Sequence, residues 1–363
     1  MADKDVMRAL VAAKNALKKK YGEETFRDSS STLKMESIST GSPSLDNAIG
    51  IGGLPEGRIV EIFGGESCGK TSLVSILCGE AQKKHPDKFI GFVDVEHAFN
   101  PPYAASLGMK MGEDKTWFAQ PSSGEEALEI LLNLVETGGF SVLVLDSVGG
   151  IQTKRQLEGE IGKETMGEVA RIMSQTMPKI VKAANKHGTL VVFINQQRAT
   201  MDMYGPKDTT MGGKALPYFA SVRLKLRKKD VIMDGTTPIG QSVEIKVIKN
   251  KVGNPFGVVE CDLYFHKGFD RQAELVDEAI KAGIIDQGGA WYYVDKGTDN
   301  EIRFQGKSKV VEFFRTEPEK YQIILDKLMS INKDLAGEVV FEEDITEEEV
   351  LEELEKFSKE DKK

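Results

Sequence analysis

The chain has 363 residues, of which 40% are apolar, enough for one large α/β domain with a buried core and a smaller second domain. No apolar run approaches the roughly 20 residues of a membrane-spanning helix, so we expect a cytoplasmic protein with neither a membrane span nor a secretory leader. The three cysteines lack metal-ligand spacing and suit a reducing compartment.

The formal net charge of −9 is concentrated in an acidic tail. Residues 342–363 hold eleven acidic residues and four lysines, which leaves a net charge of −2 for the other 341 residues. The body of the chain is therefore nearly neutral and can carry a local basic surface for nucleic acid. The tail is interpreted either as a solvating segment or as a brake that competes with DNA phosphates for that surface.

The first predicted element is an amphipathic helix that ends near Tyr21. Its apolar residues recur on one face: Val6, Leu10, Ala13 and Leu17. Phe26 then stands alone in a polar segment. Because such a helix has no partner within its own segment, it either folds back on the chain's own core or docks, with Phe26, on a neighbouring subunit.

Strands and helices then alternate between about residues 41 and 252. The predicted strands cover 59–63, 89–95, 141–146, 189–195, 221–227 and 242–249, and the predicted helices cover 70–84, 124–137 and 166–187. Several strands are almost continuously apolar and end in polar residues, which is typical of buried parallel strands whose carboxyl ends carry a site. Residues 37–268 are predicted as the core, residues 269–335 as a separate small α/β domain, and residues 336–363 as the tail.

A phosphate-binding loop is predicted directly after the first of these strands. The residues that fit the pattern G-x-x-x-x-G-K-[ST] are Gly64, Gly65, Glu66, Ser67, Cys68, Gly69, Lys70 and Thr71. Backbone N–H groups in such a loop face phosphate oxygens, Lys70 offsets the β- and γ-phosphate charge, and the Thr71 hydroxyl can hold Mg²⁺. A chance match is the alternative, but the flanking strand and helix favour a nucleoside triphosphate site. Because Cys68 lies at a helix N-terminus, we expect its thiolate to be favoured.

Two carboxylates follow predicted strands. Asp146 is placed to orient Mg²⁺ through water beside the Thr71 hydroxyl, although a strand-end aspartate can also be a helix cap. Glu96 can polarise the water that attacks the γ-phosphate, and the alternative is a surface acid.

Gln196 ends another strand, where its amide can contact a γ-phosphate just before a long loop over 198–213. We expect it to act as a switch, since bound triphosphate would order the loop and hydrolysis would release it. The loop combines cations, one aromatic residue and two adjoining glycines: Arg198, Tyr204, Lys207, Gly212 and Gly213. This mixture suits single-stranded nucleic acid, but a mobile surface loop would have a similar composition.

Taken together, these residues resemble the bacterial RecA recombinase family, including its phage-encoded members. The resemblance spans about residues 38–256 and continues more loosely into the small domain. Besides the phosphate loop, the matching segments are 38–46, 52–62, 94–98, 158–162, 173–175, 193–196, 220–224 and 249–251. The resemblance implies an α/β fold with a RecA-like P-loop NTPase core, a central, mostly parallel twisted sheet, an N-terminal helix and strand arm over 1–36 for polymerisation, and a small C-terminal α/β domain.

The same resemblance implies a function and its partners. It implies an ATP hydrolase that uses ATP and Mg²⁺, forms a helical filament on single-stranded DNA, and pairs that strand with homologous double-stranded DNA. A helicase of the same fold, and a DNA-binding filament or mediator without strand exchange, are the alternatives.

Residue roles follow by matching position. Glu96 resembles the family's catalytic base, Gln196 its γ-phosphate sensor and Tyr103 the ring stacked on adenine. The resemblance also implies that Lys249 and Lys251 reach ATP from the next protomer.

The segments 158–167 and 198–213 correspond to the family's two DNA-binding loops. Within and beside them, Arg171 and Arg198 are the expected phosphate contacts.

The chain departs from the family pattern at several positions. Pro217 stands where the family has a lysine, Pro178 where it has an arginine, Asn100 where it has an aspartate, and Cys68 where it has a serine. These differences bear on how tightly ATP binding is coupled to DNA binding.

Overall fold

The structure is a computed structural model in which residues 4–22, 35–159, 167–199 and 208–335 are described. The described residues divide into two units, one with residues 4–22 and 35, and the other with the described residues from 36 to 335. None of the described helices is long and apolar enough to cross a membrane.

Helix α1 (Lys4–Tyr21) belongs to the first unit and lies where the amphipathic helix is predicted. Its apolar residues Val6, Leu10 and Leu17 are 51%, 59% and 40% exposed. Phe26 and the acidic tail lie outside the described residues. The docking partner of this arm therefore stays a prediction.

The second unit contains all the strands of the described residues. In chain order they are β1 (Ser37–Ile38), β2 (Leu54–Pro55), β3 (Ile59–Gly64), β4 (Phe89–Asp94), β5 (Thr116–Ala119), β6 (Phe140–Asp146), β7 (Leu190–Ala199), β8 (Asp208–Thr210), β9 (Val222–Asp234), β10 (Thr237–Asn250), β11 (Val258–Tyr264), β12 (Gly268–Phe269), β13 (Ile285–Gly288), β14 (Trp291–Val294) and β15 (Ile302–Gln305). The helices are α2 (Pro43–Ile49), α3 (Lys70–Lys84), α4 (Pro101–Ser106), α5 (Gly124–Thr137), α6 (Lys154–Glu158), α7 (Glu168–His187), α8 (Ala215–Phe219), α9 (Arg271–Lys281), α10 (Lys307–Thr316) and α11 (Pro318–Leu335).

A large twisted sheet organises this unit. Among the described residues, ten strands join in the order β12-β11-β10-β9-β3-β7-β6-β4-β5, with β8 paired to β7. From β5 to β9 the strands are parallel, and β10 to β12 extend the sheet in antiparallel fashion. The predicted α/β fold with a mostly parallel sheet is confirmed.

Apolar side chains fill both faces of the sheet, which is why the central strands read as continuous apolar runs. Val60 and Ile62 of β3 pack on the face that also holds residues of α3, whereas Ile59 packs with residues of α5 and α7. Every residue of β3 is buried, including Glu61.

The parallel register brings the strand ends together at one edge. Gly64 lies level with Gln196 in β7, and Asp94 in β4 lies level with Asp146 in β6. Because parallel strands present their carboxyl ends at the same edge, residues far apart in sequence meet there.

The segment predicted as an irregular loop over 198–213 begins as a hairpin. β7 continues to Ala199 and pairs antiparallel with β8, so that Gln197 lies opposite Thr210. Backbone pairing across the base of the loop gives no apolar period in the sequence, which explains why the strand extension was missed.

β9 and β10 are also longer than their predicted spans. They form an antiparallel ladder out to the Asp234 and Thr237 pair, where most side chains are exposed. Buried strands show an apolar pattern in the sequence. The exposed ends of β9 and β10 are held by backbone hydrogen bonds between the strands, so their sequence shows no such pattern.

The small C-terminal domain has its own core beside an antiparallel sheet of β13, β14 and β15. Its fully buried residues include Leu275, Val276, Ala279, Val310 and Phe314. Side chains join it to α2, because the Ser42 hydroxyl donates to Glu274 Oε2 at 2.5 Å and Asn47 Nδ2 donates to Glu278 Oε2 at 2.6 Å.

Candidate functional site

The loop between β3 and α3 has the conformation that the phosphate-loop pattern requires. A Cβ on Gly64 would lie 2.2 Å from the Leu226 carbonyl oxygen, and Gly69 has a φ of +91°, so both positions favour glycine. Lys70 Nζ donates to the Gly65 carbonyl at 2.6 Å and to the Gly64 carbonyl at 3.3 Å. The ammonium group therefore lies over the loop, where phosphate oxygens would be received.

Cys68 differs from its expected chemistry. Its side chain is 2% exposed, and its thiol lies 3.1 Å from the Gly65 carbonyl. Burial raises the pKa of this thiol, and the neighbouring Lys70 charge only partly opposes that effect. The prediction of a favoured thiolate is wrong, because desolvation by burial outweighs the Lys70 charge and the local hydrogen bonds.

Thr71 and Asp146 meet at the edge of the sheet. The Thr71 hydroxyl donates to Asp146 Oδ2 at 3.0 Å. Burial raises the pKa of Asp146 to about 6, with the charges of Glu96 and Asp94 acting in the same direction and the Thr71 hydroxyl acting against them. A hydroxyl and a carboxylate are hard oxygen donors of the kind that Mg²⁺ prefers.

Glu96 and Gln196 are in direct contact, although 100 residues separate them. Gln196 Nε2 donates to Glu96 Oε1 at 2.8 Å. The Ser147 hydroxyl donates to the same carboxylate oxygen. The Glu96 carboxylate thus accepts hydrogen bonds from Ser147, which follows β6, and from Gln196, which follows the buried part of β7.

Two residues without a sequence motif make this contact possible. A Cβ on Gly149 would lie 3.1 Å from Gln196 Cδ, and a Cβ on Gly150 would lie 2.9 Å from Glu96 Cγ. Sequence reasoning missed this glycine pair, since its importance comes from neighbours on other strands. Its only sequence signal is the repeated glycine shortly after Asp146.

Tyr103 lies near the helix that follows the phosphate loop. Its hydroxyl is 3.2 Å from Ser72 Oγ on α3, and its ring makes an edge contact with His266 at 5.1 Å. The Asn100 side chain caps α4 by accepting from the Tyr103 N–H at 3.0 Å, so this residue performs a cap that an aspartate could also make.

A cavity of about 320 Å³ adjoins the phosphate loop. Three of its lining residues come from distant strands and were not predicted: Lys228, Gln241 and Phe265. They belong to β9, β10 and the turn after β11, and carry no motif that would assign them to a nucleotide pocket.

Lys249 and Lys251 lie away from the phosphate loop of their own chain. Lys249 is level with Arg223, which is level with Glu61, three residues before Gly64 in β3. At about 3.3 Å per residue this is a displacement of roughly 10 Å along the strand, and Lys249 is also two strands to the side.

The Lys249 ammonium has local partners. Its Nζ donates to the Pro217 and Tyr218 carbonyls at 2.8 and 2.9 Å. Burial lowers its pKa, and the charges of Lys251 and Arg223 add to that effect.

The predicted DNA contacts are placed in part. Arg171 is exposed on α7, and the glycines 212 and 213 pack close to Val148 and Ala170, so the end of the second loop lies against the helix that carries Arg171. Arg198 lies in β7, but its side chain is outside the described residues, as are Tyr204 and residues 160–166 of the first loop.

These features define a P-loop NTPase. A strand, a phosphate loop and a helix lie at the carboxyl edge of a parallel sheet, and acidic residues lie at the ends of two other strands of that sheet. Comparison with known proteins resolves the family. The family model described as RecA N-terminal domain matches residues 8–270, and the one described as RecA C-terminal domain matches residues 273–332. The chain belongs to the RecA family.

Curated relatives agree with this assignment. The chain is 42% identical over 326 residues to the protein named RecA of Rhodospirillum rubrum, covering 88% of this chain and 87% of the relative. It is 41% identical to the RecA proteins of Caulobacter sp. strain K31 and Methylobacterium sp. strain 4-46, over 341 and 321 residues. These alignments cover 93% and 87% of this chain, and 89% and 86% of the two relatives. The chain is accordingly a recombination and repair protein that binds nucleotide and hydrolyses ATP.

Proposed function

We propose that the chain forms a filament on single-stranded DNA, binds ATP between adjacent protomers, and pairs the bound strand with homologous double-stranded DNA. The observation that carries this proposal is the contact between Gln196 and Glu96 at 2.8 Å. It links a residue at the foot of the second loop to the carboxylate that would activate the water for attack on the γ-phosphate.

In this mechanism the phosphate loop and Lys70 bind the triphosphate, and the Tyr103 ring stacks on the base. Glu96 accepts a proton from the attacking water. The Gln196 amide has to leave Glu96 when it turns to the γ-phosphate, which frees the carboxylate for that proton. The same movement would shift the end of β7, which leads into the second loop. ATP binding would therefore change the conformation of the DNA-binding segment.

Thr71 and Asp146 are the residues that would hold Mg²⁺. No cluster of three or more His, Cys, Asp or Glu side chains with a metal-binding arrangement occurs among the described residues. The ion would therefore depend on this pair and on the nucleotide's own oxygens, and it would offset phosphate charge when bound.

Lys249 and Lys251 are proposed to complete the site of the next protomer. Their displacement from the phosphate loop of their own chain supports a role across the interface. Two cations brought to the γ-phosphate in this way would stabilise charge that develops in the transition state, as an arginine finger does.

DNA contact is assigned to the loops 158–167 and 198–213, with Arg171, Arg198, Tyr204, Gly212 and Gly213. We expect no sequence preference, since cations meet phosphates and a ring accepts any base. The compartment that suits this activity is the cytoplasm.

The test measures ATP hydrolysis with and without poly-dT, followed by electron microscopy and a strand-exchange assay. We expect stimulation by the single strand, extended helical filaments and strand exchange, all lost in Lys70→Ala. Rings without exchange would identify a helicase, and filaments without exchange would identify a mediator. Hydrolysis that does not respond to the single strand would contradict the proposal.

A further inference from the structure

A buried carboxylate lies in the middle of the strand that leads to the phosphate loop. Glu61 is 0% exposed and is the only charged residue within the six residues of β3. Burial of an ionised carboxylate is costly unless its oxygens are paired, so the partners of Glu61 define what it does.

One Glu61 oxygen reaches Asn195 in the neighbouring strand β7. Asn195, also fully buried, donates from Nδ2 to Glu61 Oε1 at 2.9 Å. The same Asn195 amide donates to the Met211 carbonyl at 3.0 Å, and its Oδ1 accepts from the Gln196 N–H at 2.9 Å. Asn195 therefore ties the end of the second loop to the backbone of Gln196, and Glu61 fixes Asn195.

The other Glu61 oxygen reaches the opposite side. Arg223 Nε donates to Glu61 Oε2 at 2.5 Å, and the guanidinium lies 4.9 Å from the centre of the Phe63 ring, next to Gly64. Arg223 is the register partner of Lys249 in β10. The row Asn195, Glu61, Arg223 and Lys249 thus crosses four adjacent strands, in the order β7, β3, β9 and β10.

The network around Glu61 does more than pair a buried carboxylate. A buried ion pair is often no more stabilising than apolar residues of the same volume. A fully paired network, in contrast, fixes the relative positions of its members. Here Asn195 binds the Gln196 N–H, and Arg223 lies level with Lys249 on the adjoining strand. The network therefore sets the strand positions of the two groups that the proposed mechanism brings to the γ-phosphate from different sides.

We propose that Glu61 is a positioning residue for ATP hydrolysis, because it holds Asn195 beneath Gln196 with one oxygen and Arg223 beside Lys249 with the other. Its side chain is fully buried, so it acts through these partners and not by contact with nucleotide or DNA. It sets the relative positions of the second loop, the phosphate-loop strand and the strand of the interface lysines. This inference rests on the proposed function.

The test replaces the ion pair by apolar residues in the double variant Glu61→Leu with Arg223→Met, so that no buried charge is left alone. We expect the KM for ATP to stay within about twofold, since Lys70, Thr71 and Tyr103 keep their contacts. We expect kcat in the presence of poly-dT to fall at least about tenfold, with a thermal midpoint close to that of the parent protein.

A matched control removes another Arg–Glu pair in the same way. Arg271 and Glu80 pair at 2.6 Å with side chains 31% and 16% exposed, and Arg271→Met with Glu80→Leu should leave the stimulated kcat within about twofold. An unchanged kcat in a folded Glu61 double variant, or an equal loss in the control, would overturn the proposal.

A conservative variant covers the case in which the double variant does not fold. Arg223→Lys keeps the charge but loses the Nε donor, and should lower the stimulated kcat at least about threefold at unchanged KM. No change would overturn the proposal. Parent protein that hydrolyses ATP without any response to poly-dT would instead contradict the proposed function, so the two failures can be told apart.

Discussion

Gly150 lies so close to Glu96 that a Cβ built on it would stand 2.9 Å from the Glu96 Cγ. The glycine makes room for a carboxylate that must also accept the Gln196 amide. In Gly150→Ala we therefore expect Glu96 to be displaced and kcat for ATP hydrolysis to fall by about tenfold or more, with little change in KM.

The control for Gly150 is another glycine with space around it. At Gly139 the nearest atom to a built Cβ is Thr137 Oγ1 at 3.6 Å, so Gly139→Ala should hydrolyse ATP like the parent protein. Steady-state kinetics of the two variants decide the matter, and equal rates would show that Glu96 tolerates the added methyl group.

Cys68 should react slowly with thiol reagents despite its place at a helix N-terminus. Burial raises its pKa, so little thiolate is present near neutral pH. We expect alkylation of the folded protein to be at least about tenfold slower than that of the unfolded chain. Site-resolved mass spectrometry is needed because Cys78 and Cys261 are also buried. Rapid modification of Cys68 in the folded protein would contradict this prediction.

Stability should decrease as the pH rises because of Glu274. Burial raises its pKa to about 7, so the folded protein holds this proton more tightly than the unfolded chain does. Its contribution is complete below the unfolded value near 4.5 and is lost as the pH rises through 7. Ionisation of Glu274 then costs about 3 kcal/mol of unfolding free energy.

Glu274→Gln removes that titration while keeping an acceptor for the Ser42 hydroxyl. We expect urea unfolding of the variant to show a weaker decline between pH 5 and 8, and a higher stability than the parent at pH 8. Burial also raises the pKa of Asp46 to about 7, so part of the decline in stability should remain in the Glu274→Gln variant. A decline in the variant as steep as that of the parent protein would contradict this prediction.

Mixing two inactive variants tests whether Lys249 acts on the neighbouring protomer. Glu96→Gln and Lys249→Ala should each abolish DNA-stimulated hydrolysis alone. In an equal mixture, about a quarter of the interfaces combine an intact Glu96 with an intact Lys249. We expect about a quarter of the parent rate. A mixture as inactive as its components would contradict action of Lys249 on the neighbouring protomer.

The acidic tail is testable by deletion. Without residues 342–363, the net charge of the remaining chain is −2, and competition with DNA phosphates is removed. We expect tighter binding of double-stranded DNA at low Mg²⁺ and low salt, measured by fluorescence anisotropy. Unchanged affinity would favour the alternative that the tail only solvates the protein.

Much of the fold could be predicted because buried parallel strands appear in the sequence as apolar runs. The polar residues that end these runs mark the edge of the sheet where the site lies. The spans around Ile59, Phe89 and Leu190 were predicted within one or two residues at their starts. The exposed parts of β9 and β10 were not, since backbone ladders outside the core impose no pattern on side chains.

The sequence by itself determined the phosphate loop and the strand-end residues Asp146, Glu96 and Gln196, because their chemistry depends on residue type and local spacing. Only the tertiary structure decided that Gln196 contacts Glu96, that Gly150 makes room for that contact, and that Glu61 pairs with Asn195 and Arg223. It also reversed the expectation for Cys68, since burial is a property of the packed molecule. Contacts between strands depend on register and packing, and these arise only when distant parts of the chain come together.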